Sequence, residues 1–190
     1  MIRNVFAAAV LIAGMAAPAH AQTAMPSPGT FGGLRDSVHW LVKTQFQPQG
    51  DVISLTLGQA LQRSRDEARA DSRPMPERVK KALSPFYDAQ LLDTVRYRVG
   101  DTSQAGVAGF AIRNGNAAAV TLIDTVVFKE DQYTTDLELW AHEIHHVEQF
   151  RDWGVNGFAS RYAFGWGKVE AEAEEKASEF ATWYKSRKGN

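Results

Sequence analysis

His142, Glu143 and His146 stand in the pattern H-E-x-x-H within "LELWAHEIHHVEQF", residues 137–150, where three of the chain's five histidines fall inside five residues. Residues four apart on a helix share a face, with Cβ atoms roughly 5–6 Å apart. Two imidazoles so placed can converge on one ion at zinc–nitrogen distances of about 2.0–2.1 Å. Glu143 lies about 100° further round the helix, beside the ion rather than on it. That is the place for a general base acting on water at the metal. Leu137, Leu139, Trp140, Ala141, Ile144 and Val147 make the helix largely apolar, and buried histidines and a glutamate are costly without partners. The competing reading is a surface histidine cluster with no ion.

Zinc at a catalytic site needs a third protein ligand and one open position. The chain has no cysteine, which excludes thiolate sites and disulfides. His20 and His39 lie far upstream with no motif around them, so a carboxylate is the better candidate. The run "KVEAEAEEKASEFATWY" reads as a long helix from Lys168 to about Lys185. Glu170 shares a face with Ala173, Ala177 and Ala181, small residues that admit close packing, while Glu172, Glu175 and Glu179 turn toward solvent. Glu170 is the expected third ligand. Glu174, one turn on, is expected to accept the free ring N–H of a ligand histidine. The alternative is a solvated acidic helix.

Three further side chains near the motif have two readings each. His145 could steady an oxyanion or satisfy a core carbonyl. Tyr162, in "GFASRY" between the two ligand helices, could donate to a developing oxyanion or simply pack. Gln149 is expected to be a buried polar anchor for the loop near Trp153 rather than a ligand. Arg151 and Arg161 are expected to pair with acids of the last helix, and Trp140, Trp153, Trp166 and Trp183 to be core or helix-junction aromatics.

The elements that must position these groups follow from periodicity. Leu34–Phe46 and Ser54–Ala70 are expected helices, separated by "QPQGD". Pro76 opens a short helix to about Leu83. Thr94–Val99 alternates as a strand, "RNGN" at 113–116 is a turn, and Ala119–Phe128 is a second strand with Val120, Leu122, Val126 and Phe128 on one side. Thr135 or Asp136 caps the motif helix, Gly154 stops it near Arg151, a short helix spans Val155–Tyr162, and "AFGWG" precedes the last helix. This is one α+β domain, 34–190, with helices on one face of a small sheet. An edge of the strand 119–128 is expected to bind an extended peptide by main-chain hydrogen bonds.

At the other end, "MIRNVFAAAVLIAGMAAPAHAQ" has the charged start, short apolar run and A-x-A site of a secretory signal peptide, residues 1–21. Residues 22–33, rich in Pro, Gly, Ser and Thr, read as a disordered leader. The product is expected in the periplasm or outside the cell, with no membrane anchor after cleavage. A net charge of −1 gives no nucleic-acid footprint.

"WAHEIHHVEQF" followed by "VEAEAEEKA" resembles the gluzincin-like zincin metallopeptidases. More narrowly, "PMPERVKKAL", "DTVRYRV", "AAVTLIDTVVF" and "HEIHHVEQ" resemble the core-domain family of extracellular contractile injection systems, over roughly Pro74 to Ala181. The resemblance implies a zincin-like fold, a Zn²⁺ ion held by His142, His146 and Glu170, and Glu143 as catalytic base acting on a peptide or protein substrate. His145 fills a slot that is usually small or apolar, and Glu174 stands where aspartate is common. The alternative is a catalytically silent metal-binding or peptide-binding module associated with an injection apparatus.

Overall fold

The computed structural model describes residues 50–100 and 117–188. The expected signal peptide, leader, helix over 34–46 and turn over 113–116 lie outside those residues. The described chain is α+β. Helix α1, Gly50–Ala70, is followed by β1 (Arg73–Pro74), α2 (Glu77–Leu83), α3 (Ala89–Thr94) and β2 (Arg96–Val99). Then come β3 (Ala119–Leu122), β4 (Thr125–Phe128), a 3-10 turn (Asp131–Thr135) and α4 (Leu137–Lys188). The four strands form one sheet in the order β1-β2-β4-β3.

Strand β3 is antiparallel to β4, with Leu122 opposite Thr125, and β4 is parallel to β2. The expected single strand over 119–128 is therefore a hairpin turning at Ile123 and Asp124. The reversal changes which side chains share a face. Val120, Leu122 and Val127 pack with Leu57 and Leu61 of α1, whereas Ala119, Val126 and Phe128 pack with Trp140 and Ile144 of α4. Both faces are thus covered, not one, because β3 and β4 are buried at every position. Ile123 has φ 60°, a turn conformation glycine or asparagine normally signals, so the sequence carries no mark of it.

Helix α1 begins at Gly50 rather than Ser54. It buries Leu57, Leu61, Ser64 and Ala68 at steps of three and four. A Cβ on Gly58 would come 2.3 Å from Asn156 Oδ1, so this glycine lets α1 lie close on the middle of α4. Pro76 is the cap of α2 rather than its first residue. The expected strand from Thr94 starts two residues later, because α3 occupies Ala89–Thr94. Its cap Asp88 accepts from Gln90 N at 2.9 Å, and Leu91 and Leu92 are buried.

Helix α4 consists of three segments, 137–153, 155–164 and 166–188, broken at Gly154 (φ 69°, ψ 166°) and Gly165 (φ −152°, ψ 32°). The breaks fall where the sequence places them. Asp136 caps the first segment, its Oδ1 accepting from Glu138 N and Leu139 N at 3.1 Å. No helix among the described residues is long and apolar enough to cross a membrane.

Candidate metal centre

Burial of Trp140, Ala141, Ile144 and Val147 fixes the rotation of the first α4 segment. Trp140 sits against Phe128 at 4.7 Å and Tyr97 at 5.7 Å between ring centroids, and its Nε1 donates to Thr134 O at 2.9 Å. Tyr87 OH donates to Ala141 O at 2.8 Å, pinning the residue before the motif. His142, Glu143 and His146 consequently point inward and are at most 1 % exposed.

His142 Nε2 and His146 Nε2 face one another at 3.1 Å. The Glu170 carboxylate straddles them, with Oε2 3.5 Å from His142 Nε2 and Oε1 3.5 Å from His146 Nε2. At that length these are ion-pair separations, not hydrogen bonds. Donors 2.0–2.1 Å from a tetrahedral zinc are about 3.3–3.4 Å apart, so the spacings fit one ion. Glu170 Oε1 and Oε2 are buried with no hydrogen-bond partner, a costly state that a cation would relieve. The buried group of potential ligands found among the described residues is His142, His146 and Glu170. It is compatible with metal binding.

Glu143 is held from the sheet. Thr121 Oγ1 lies 2.6 Å from Glu143 Oε2 and 3.1 Å from its backbone oxygen, while Glu143 Oε1 is buried without a partner. The single hydroxyl proton serves the nearer carboxylate oxygen. Thr121 escaped the sequence reading, although it is the lone polar residue of "AVTL". Thr121→Val keeps the shape and removes the donor. Chemical denaturation is expected to show a loss of about 1–3 kcal/mol, the cost of a buried polar group losing its partner.

Other expected residues are placed as follows. Tyr162 is buried near Glu170; burial first, then the Glu170 charge, raises its pKa well above the usual phenol value, so its proton is retained. Phe158 stacks on Phe150 and Tyr162 and meets His146 edge-on, so the middle segment roofs the site. His145 lies outside the group, half-buried, with Nδ1 3.1 Å from Glu148 Oε2. Glu174 is exposed and cannot serve the histidines. The ring atom Nδ1 of His146 meets Gln149 Oε1 at 2.7 Å instead. Gln149 anchors the last segment, not the loop near Trp153, through Val169 O and Glu172 Oε2. Arg151 pairs with Asp88 and Asp152, and Arg161 lies over the Trp153 ring. Among the described contacts neither meets an acid of the last segment as expected, because nearer partners engage them.

Charge coupling inside the group sets a pH dependence. Burial favours the neutral form of Glu170, but the two histidines overcome it and pull its pKa down to about 2. Burial likewise opposes charge on His146, yet Glu170 outweighs it and lifts the pKa to about 9. The depressed Glu170 contributes stability above its ordinary value of 4.5 and loses it as pH falls through about 2. The raised His146 contributes below 6.5 and loses it as pH rises through about 9. Denaturation of metal-free protein across pH is expected to show greatest stability from this pair between those ordinary values. Glu170→Gln should flatten both limbs.

Residues 74–154 match the family model of the eCIS core domain. The match starts at the expected Pro74 and covers less than half of the chain. It takes in Thr121, the H-E-x-x-H and Gln149, but stops short of Tyr162 and Glu170. No curated protein and no solved structure matches the chain.

Proposed function

We propose that the chain is an exported, zincin-like, zinc-dependent peptide hydrolase. The observation that carries this is the buried His142–His146–Glu170 group with unpartnered carboxylate oxygens, set beside Glu143. His142, His146 and Glu170 would hold the ion, which supplies a Lewis acid and eases deprotonation of water near neutral pH. Glu143 takes that proton on Oε1, since Oε2 is engaged by Thr121, and hands it to the leaving amine. Tyr162 keeps its proton and donates to the oxyanion. Strand β3 is last in the sheet order, but its residues are at most 7 % exposed, so the edge expected to pair with an extended peptide is covered and a substrate reaches the group by another face. His145 takes no step, being engaged with Glu148.

Elemental analysis of the purified mature protein tests the site. One equivalent of zinc is expected in the unmodified protein and none in His142→Ala. A metal-free unmodified protein would sink the assignment. The mass of the N-terminus after export tests cleavage behind Ala21. A second reading is a metal-binding module of an injection apparatus without hydrolytic activity. It is supported by the family match and by the burial of every ligand. A zinc-loaded sample that cuts nothing in a broad peptide library decides for it.

A further inference from the structure

Among the described residues, Gln149 is the one side chain shown hydrogen-bonded both to a histidine of the group and to the segment that carries Glu170. Its two ends can be assigned by elimination. The backbone oxygen of Val169, at 3.2 Å, can only accept, so the amide NH₂ must face it. The same NH₂ reaches Glu172 Oε2 at 3.1 Å. Oε1 therefore faces His146 Nδ1 at 2.7 Å, and because Oε1 can only accept, Nδ1 must carry a hydrogen. In the neutral ring this leaves the Nε2 lone pair directed at His142 Nε2 and Glu170. Val169 immediately precedes Glu170. The bond to its carbonyl thus sets where the third carboxylate enters the group. Glu174 is exposed and Glu172 does not touch the rings directly, so nothing else among the described contacts performs this task for His146.

We propose that Gln149 is a positioning residue for metal binding: it fixes the His146 tautomer that points Nε2 at the ion and ties in the segment bearing Glu170. The proposal rests on reading His142, His146 and Glu170 as a metal group. Its two tasks can be separated. Gln149→Leu removes both. Gln149→Glu keeps an acceptor for His146 Nδ1 but removes the donors to Val169 and Glu172, and sets a carboxylate beside Glu172. The pair Gln149→Glu with Glu172→Gln restores a donor and an acceptor in swapped order.

Zinc affinity of the full chain, measured by competition with a chromophoric chelator, is the main readout. Thermal unfolding of the metal-free proteins is the second. Gln149→Leu is expected to weaken zinc binding by roughly 10–100-fold, as loss of an outer hydrogen bond to a ligand histidine does. Gln149→Glu is expected to unfold at lower temperature and to weaken zinc binding by less than about tenfold, because it keeps the acceptor for His146 Nδ1 and loses only the tie to Val169 and Glu172. The swapped pair should recover the unfolding temperature. Long-range ¹H–¹⁵N spectra of the zinc-loaded protein should show His146 protonated at Nδ1 in the unmodified chain and in Gln149→Glu. A side chain with a merely structural role would lose about tenfold or more in zinc affinity along with stability in Gln149→Glu, and that result overturns the proposal. So does unaltered affinity in Gln149→Leu. Should that variant fail to fold, the Gln149→Glu comparison still decides. An unmodified chain that takes up no zinc overturns the metal reading and the proposal with it, whereas zinc uptake indifferent to residue 149 overturns the proposal alone.

Discussion

Glu143→Gln is expected to bind zinc as the unmodified chain does and to lose peptide hydrolysis by about 10²–10⁴-fold, the usual share of a positioned general base. The substitution is close to isosteric, and Glu143 is not among the residues facing both ring nitrogens. Its amide can no longer take a proton, but its carbonyl can still accept from Thr121, the contact that holds Oε2 at 2.6 Å. Fold, ion and positioning should therefore survive while the proton acceptor is lost. The measurement pairs zinc content with cleavage of a quenched fluorescent peptide library, each at saturating metal. Retained hydrolysis in a zinc-loaded variant would remove Glu143 from the mechanism. Loss of zinc along with hydrolysis would instead make Glu143 a ligand, a role its contact with Thr121 on β3 argues against.

The motif and its partner helix were legible because helical periodicity is local. His142, Glu143 and His146 need only the 3.6-residue repeat to be sorted, and Glu170 was marked by alanines at three- and four-residue steps, of which Ala173 and Ala177 are buried. The same reasoning failed for Glu174. One turn after Glu170 it lies about 40° further round the helix, away from the stripe of Ala173, Ala177 and Phe180 that stays buried, and it is exposed. Glu170 sits at the edge of that stripe, so a single further turn carries the next carboxylate out of it. Thr121 was hidden because its role depends on a hairpin whose turn, at Ile123 and Asp124, lacks the usual Gly or Asn. Read as one continuous strand, 119–128 puts Val120 with Val126. With the reversal Thr121 joins Ala119 and Val126 on the face toward α4, and reaches Glu143. The role of Gln149 was half legible, since burial followed from its place below His142 but its partners depend on how the chain returns after Gly165.

Removing Glu170 should have the largest effect on the holo protein. Zinc that binds only the folded chain stabilises it by about 4.1 kcal/mol at a thousandfold excess over Kd. For a chain of this size that is roughly an 8–16 °C rise in Tm. In Glu170→Ala the rise is expected to vanish at the same zinc concentration. Two imidazoles remain, and an inner ligand should cost more than the roughly 10–100-fold lost with an outer partner. Metal-free Glu170→Ala also lacks the counter-charge that keeps His146 ionised, so its stability should no longer fall as pH rises toward 9. Glu174→Ala is the matched control, because that carboxylate is exposed on the same segment. It should keep the full zinc-dependent rise. Equal behaviour of the two variants would mean that the acidic segment attracts zinc by charge alone. A difference confined to Glu170 ties the ion to the carboxylate that lies 3.5 Å from both ring nitrogens. Because Glu170 follows the break at Gly165 and the histidines precede the one at Gly154, an ion bound to all three would also lock the three segments of α4 together. Amide exchange in the middle segment, 155–164, should accordingly slow on zinc addition to the unmodified chain and stay unchanged in Glu170→Ala.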